Sequence, residues 1–110
     1  MAHISITPVS GRVVVRWRGA AVVDTRQALE LREGSYPPVL YVPRADADMS
    51  AFTPTPRHTT CPYKGEASYF SLGEDANVVW SYETPKPEVA AIAGHLAFYP
   101  DKVEIVRSAA

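Results

Sequence analysis

The sequence predicts an all-β or β-dominated domain, small and antiparallel, with roughly seven to nine short strands and one short helix near residues 88–93. Three observations carry that prediction. Short runs of alternating or β-branched residues recur along the chain, and Gly/Pro turns separate them. Ten prolines stand against six glycines, about twice the usual proline share, which leaves no room for a long regular helix. At 110 residues the chain suits a single domain, 1–110, with one buried core.

The elements follow in order. Ile4–Thr7 alternates apolar and polar, and Pro8–Gly11 reads as a turn. Arg12–Trp17 sets Val13, Val15 and Trp17 on one face, with Val14 and Arg16 on the other. Ala20–Asp24 follows after only Arg18-Gly19, the signature of a tight hairpin whose glycine supplies a positive φ. Leu29–Arg32 is a weaker strand, and Val39–Val42 a short one stopped by Pro43. Ala67–Leu72 places Tyr69 and Phe70 on opposite faces; in Val78–Tyr82, Val78, Trp80 and Tyr82 share one. Glu88–Ala93 is the helix, opened by Pro87, closed by Gly94 and striped with Val89, Ile92 and Ala93. Leu96–Tyr99 and Lys102–Arg107 read as a closing hairpin around Pro100-Asp101. Pro43–Glu66 shows neither period and reads as a long, ordered, functional loop.

Composition excludes several classes of function. Eleven basic against twelve acidic residues give a net charge of −1, without the basic footprint of a nucleic-acid or anionic-membrane binder. No apolar run approaches a membrane span, and residues 1–7 lack the basic start and apolar stretch of a leader. The expectation is a cytoplasmic protein with no nucleic-acid and no membrane partner. One cysteine permits neither an internal disulfide nor a four-cysteine zinc site.

From the loop into the strand Ala67–Leu72 the chain reads His58-Thr59-Thr60-Cys61-Pro62-Tyr63-Lys64-Gly65-Glu66-Ala67-Ser68-Tyr69. Tyr41-Val42-Pro43-Arg44 lies upstream; Trp80-Ser81-Tyr82 and Ala97-Phe98-Tyr99 lie downstream. In this order the series resembles a bacterial and fungal family of domains of unknown function marked by Cys-Pro-Tyr-Lys-Gly, which has carried the label nucleotidyltransferase-like. The likeness runs from about Arg12 to Arg107. Phe70 stands where that family often has Trp, a matter of core packing. The resemblance implies an antiparallel fold related to the β-tent, the architecture of methionine sulfoxide reductase B and of the thalidomide-binding domain of cereblon. Many β-tent proteins hold zinc with paired Cys-x-x-Cys knuckles, which this chain lacks. Apolar packing is therefore expected in place of the metal. No established reaction comes with the resemblance, and fold likeness alone supplies none.

The chemistry-bearing residues converge on one region. Cys61 is either a nucleophile, with Lys64, Arg44 or His58 lowering its pKa, or a small buried hydrophobe. A second, resolving cysteine is missing, which weakens a sulfoxide-reductase-like cycle. Lys64-Gly65 leads into a strand rather than a helix, so it is no Walker loop. On a proline-braced turn it still suits an anion, and Arg44 could add a forked contact or pair with a carboxylate instead. Asp46-Ala47-Asp48 tests metal-dependent nucleotidyl transfer; it follows a proline in a loop and reads better as a solvated turn. His3, His58 and His95 lack metal-ligand spacing, so no metal and no cofactor is expected, and His58 is the one to test.

Residues 1–66 hold eight basic and six acidic side chains, residues 67–110 three and six, which favours a small anionic ligand bearing phosphate or carboxylate. The expected site therefore joins Tyr41, Arg44, His58, Tyr63, Lys64, Tyr69 and Trp80 as ligand-binding residues, with Cys61 as floor or nucleophile. The other class of function is a non-catalytic interaction module presenting Pro43–Glu66 to a protein partner. If both cations serve a ligand, Arg44 and Lys64 must face a common pocket rather than neighbouring carboxylates.

Overall fold

In the computed structural model, which describes residues 3–109, ten strands among the described residues form three antiparallel sheets. The first sheet joins β1 (Ile4–Pro8), β4 (Leu29–Glu33) and β5 (Val39–Tyr41) in the order β1-β4-β5. The second places β10 (Glu104–Ser108) beside β2 (Arg12–Trp17), and β2 beside β3 (Ala20–Thr25). The third runs β6 (Phe52–Cys61), β7 (Gly65–Leu72), β8 (Asp75–Ser81), β9 (Ala97–Phe98). The tight β2–β3 turn forms as its sequence requires. Arg18 and Gly19 both take positive φ, 49° and 82°, the mirror-image turn whose twist matches the flanking strands.

Alternation sorts the side chains into two apolar clusters. Val13, Val15, Val23, Phe52, Phe70, Leu72 and Phe98 belong to the first; Leu31, Tyr41, Tyr69, Tyr82, Val89 and Ile92 to the second. Phe70 and Tyr69, neighbours on β7, point into different clusters, as period two demands. In β8 the alternation is interrupted: Val78 and Val79 both join the first cluster, beyond Asn77 at φ 57°.

Three expectations need correction. Pro43–Glu66 is not one long loop. It holds two short 3-10 turns, Arg44–Asp46 and Met49–Ala51, and then the ten-residue strand β6. That strand was hidden because Pro54 and Pro56 lie in it. It is an edge strand paired with β7 alone, and its register shifts between Thr55 and His58; edges and bulges are where a sheet tolerates proline. The strand count therefore reaches ten. Second, Leu96–Tyr99 and Lys102–Arg107 do not pair with each other. Ala97 and Phe98 pair with Trp80 and Val79, while β10 pairs with β2.

Third, the helix is a 3-10 helix over Pro87–Ile92, broken at Val89, whose φ and ψ are −123° and 28°. Three residues per turn put Val89 and Ile92 on one line, and both are buried. Ala93 is exposed and leaves the stripe. Asp46 and Asp48 lie at the two short 3-10 turns, as expected: Asp46 accepts from Thr25 Oγ1 on β3 at 2.7 Å, and Asp48 caps the second turn by accepting from the Ser50 backbone N–H at 3.2 Å.

Candidate functional site

Cys-Pro-Tyr-Lys-Gly is the β6–β7 hairpin. Cys61 pairs with Gly65 across it, and Pro62, Tyr63 and Lys64 form the loop. Gly65 sits at φ +115°, a conformation open in practice to glycine alone. The Lys86 backbone N–H donates to the Lys64 carbonyl at 2.9 Å, fixing the loop against Pro85-Lys86. The Lys64 side chain thereby turns inward, and the residue as a whole is 9% exposed. Its ammonium donates to Glu33 Oε1 at 2.7 Å, at the end of β4. Burial works against the lysine charge. The Glu33 hydrogen bond and the neighbourhood of Cys61 and Tyr41 outweigh it and leave the pKa above its ordinary value.

This pair sits in the wall of a cavity of about 280 Å³ between the first and third sheets. Tyr41, Tyr69, Trp80, Tyr82 and Tyr99 line it, with Leu31, Val39, Tyr36 and Pro37. Strand registry explains the aromatic wall: Tyr69 pairs directly with Trp80 across β7 and β8, and Tyr82 follows two residues on. Trp80 Nε1 donates to the Tyr41 hydroxyl at 3.3 Å, and its ring lies 4.8 Å from that of Tyr99. The Tyr69 hydroxyl is taken by Thr59 Oγ1 at 2.8 Å. Tyr82 is 6% exposed, and its hydroxyl has no hydrogen-bond partner among the described residues. Among the described residues no sealed side-chain oxygen lacks a partner, so this hydroxyl keeps some solvent access, and Tyr82 lines the cavity. Burial first, then the proximity of Tyr41, Cys61 and Tyr69, push its pKa well up, and burial raises Tyr41 likewise.

A larger groove of about 810 Å³ adjoins it, sharing Glu33, Tyr36, Pro37, Val39 and Trp80. Its wall is chiefly apolar: Leu40, Cys61, Pro62, Tyr63, Phe98 and Ile105 belong to it, with Glu30 and Arg107 at the edge. Cys61 is a half-buried free thiol in that wall, and Tyr63 is 41% exposed.

Five of the eight expected residues, Tyr41, Cys61, Lys64, Tyr69 and Trp80, thus gather around one place, with Tyr63 at its outer side. Arg44 and His58 do not join them. The Arg44 guanidinium donates to Glu83, to Ser81 Oγ at 3.1 Å and to the Gly94 carbonyl at 3.2 Å, and lies 5.3 Å from the Phe70 ring centroid. It pins the 3-10 turn Arg44–Asp46 to the end of β8 and lines neither cavity. His58 is exposed on β6, 3.7 Å from Glu66, and also lines neither. The condition of two cations facing one pocket is unmet: Lys64 and Arg44 each meet a carboxylate, on different sides of the sheet. Glu33, Tyr82, Tyr99 and Tyr36 are the residues the sequence reading did not place. Among the described residues, no group of three or more His, Cys, Asp or Glu side chains is placed to hold a metal ion.

A small antiparallel β domain with a tyrosine-lined cavity that includes a buried Lys–Glu pair is the class this fold and site define. The chain belongs to the family described as Domain of unknown function (DUF427), which matches residues 5–109. Among curated proteins, none matches the chain.

Proposed function

We propose that this domain binds a small molecule, with a compact carboxylate- or phosphate-type head in the tyrosine-walled cavity and an apolar body along the adjoining groove. One observation carries the reading: Lys64, buried and paired with Glu33, and Tyr82, whose hydroxyl has no partner among the described residues, line the same cavity. Lys64 has three N–H donors and gives one to Glu33. Tyr41 accepts from Trp80, which leaves its own O–H free to donate. The cavity is therefore rich in donors and takes an accepting head. The groove volume falls within the range of ordinary ligand sites, and its mix of apolar wall with few polar groups is their usual composition. Cys61 serves as part of the wall.

Titration of acetate, benzoate, citrate and inorganic phosphate, followed by calorimetry and by protein fluorescence, tests the reading. Binding should be saturable, and Val39→Trp, which fills the cavity, should abolish it. Binding that survives the filled cavity, or no binding by any acid or by any zwitterion, rejects the site.

A further inference from the structure

Four charged side chains line the two joined cavities, and their charges cancel. Lys64 is matched by Glu33 at 2.7 Å. Glu30 is matched by Arg32 at 2.9 Å and by Arg107 at 3.7 Å. A ligand with a single negative charge would bring an unbalanced charge into a place where Lys64 and Glu33 keep only 11% and 15% of their side-chain exposure. Uncompensated charge in such surroundings is costly. A ligand carrying both charges adds none.

The geometry points to a zwitterion, and we propose that the head group is the ammonium and carboxylate of a free α-amino acid, an assignment that rests on the binding function proposed above. Its two charges hang on one carbon, and the Lys64–Glu33 pair offers their opposites side by side. The ligand carboxylate takes the remaining Lys64 N–H donors and the Tyr82 hydroxyl. The ligand ammonium takes Glu33 Oε2, since only Oε1 is engaged by Lys64, and the cavity's aromatic faces favour a cation there. Two opposite pairs laid head to tail attract more than either pair attracts a lone ion. The apolar groove beside Trp80, Phe98 and Ile105 then receives an apolar or aromatic side chain.

Three forms of the same body separate the possibilities: phenylalanine, leucine and methionine, their N-acetyl derivatives, which are plain anions, and their amides, which are plain cations. In calorimetric titrations at pH 7 at least one free amino acid should bind about tenfold more tightly than either of its derivatives. Tyr82→Phe, which keeps the ring, should weaken that amino acid several-fold while leaving the fold intact. Glu33→Gln should reverse the preference toward the N-acetyl form. Should that variant unfold, Tyr82→Phe and the three-way comparison still decide. N-acetyl forms or amides that equal or exceed the free amino acids overturn the assignment, as does binding of simple acids with none of the nine compounds. Tighter N-acetyl forms, or simple acids alone, leave the binding function standing, whereas tighter amides, which carry no carboxylate, remove it as well. Silence from simple acids and all nine compounds together removes both.

Discussion

Lys64 brings a charge into a wall of tyrosines, and Glu33 is what makes that tolerable. Breaking a buried pair by deleting one partner leaves the other uncompensated, so Glu33→Gln should destabilise by about 3 kcal/mol in urea unfolding. Replacing both, Glu33→Leu with Lys64→Met, should recover most of that loss; a double variant as unstable as the single one would show that the pair's polar surroundings matter more than its charge balance. The same residues set an alkaline limit. Lys64, Tyr41 and Tyr82 all have folded-state pKa values above their ordinary ones, from the Glu33 contact in the first case and burial in the others. Their contribution is complete below about pH 10 and is lost as pH rises through the folded values. The urea midpoint should therefore begin to fall above about pH 10, where free Tyr and Lys titrate, and Tyr41→Phe with Tyr82→Phe should flatten the fall; a midpoint constant from about pH 10 to about pH 12 contradicts it. At this scale the sequence displayed Lys64 and the aromatics but not Glu33. Nothing local marks a carboxylate at the end of β4 as the partner of a lysine in a distant hairpin.

At the scale of elements, the strands with clean alternation were legible and the irregular ones were not. Arg12–Trp17 shows its buried face in Val13 and Val15, and the structure has the same bounds. β6 escaped notice because proline argues against a strand wherever both edges are bonded, and neither its edge position nor its bulge leaves a mark on the sequence. The 3-10 helix read as an ordinary short helix because Val89, Ile92 and Ala93 suit either period over so short a span. The β6–β7 hairpin carries Lys64, and Gly65 follows it at a positive φ. Gly65→Ala meets ordinary contact distances, the nearest atom 3.7 Å away, so its penalty is backbone strain at φ +115°. It should cost about 1–3 kcal/mol and displace Lys64. A circular-dichroism melt and an amino-acid titration on the same variant check both, and an unchanged melting point refutes the strain argument.

Across the whole molecule, two apolar clusters share β5 and β7. Tyr41 belongs to one cluster and its neighbour Val42 to the other, and Val42 bridges to Leu96. The clusters should therefore melt together. Leu72→Ala in the first and Ile92→Ala in the second, both fully buried, should each cost about 2–5 kcal/mol. Each should lower the urea midpoint of a single transition without changing its slope. A biphasic curve for Ile92→Ala would instead make the cavity-bearing half a separate unit. Sheet membership is what the sequence concealed at this scale. Tyr99 and Glu104 lie a few residues apart, and the strands beside them go to different sheets because β9 is apolar on both faces and β10 is largely exposed.

The pairing of β10 with β2 has a consequence in time. Ile105 lies opposite Val15, with almost the whole chain between them. Closing so long a loop is entropically dear early and rewarded only late. Refolding should accordingly occupy milliseconds to seconds, the domain of non-local β proteins, rather than microseconds. The final strand should dock after the rate-limiting step. Stopped-flow chevrons of Val106→Ala should show faster unfolding with refolding nearly unchanged, whereas Val23→Ala in the β2–β3 hairpin should slow refolding. If both variants slow refolding equally, the last strand is already in place when the barrier is crossed.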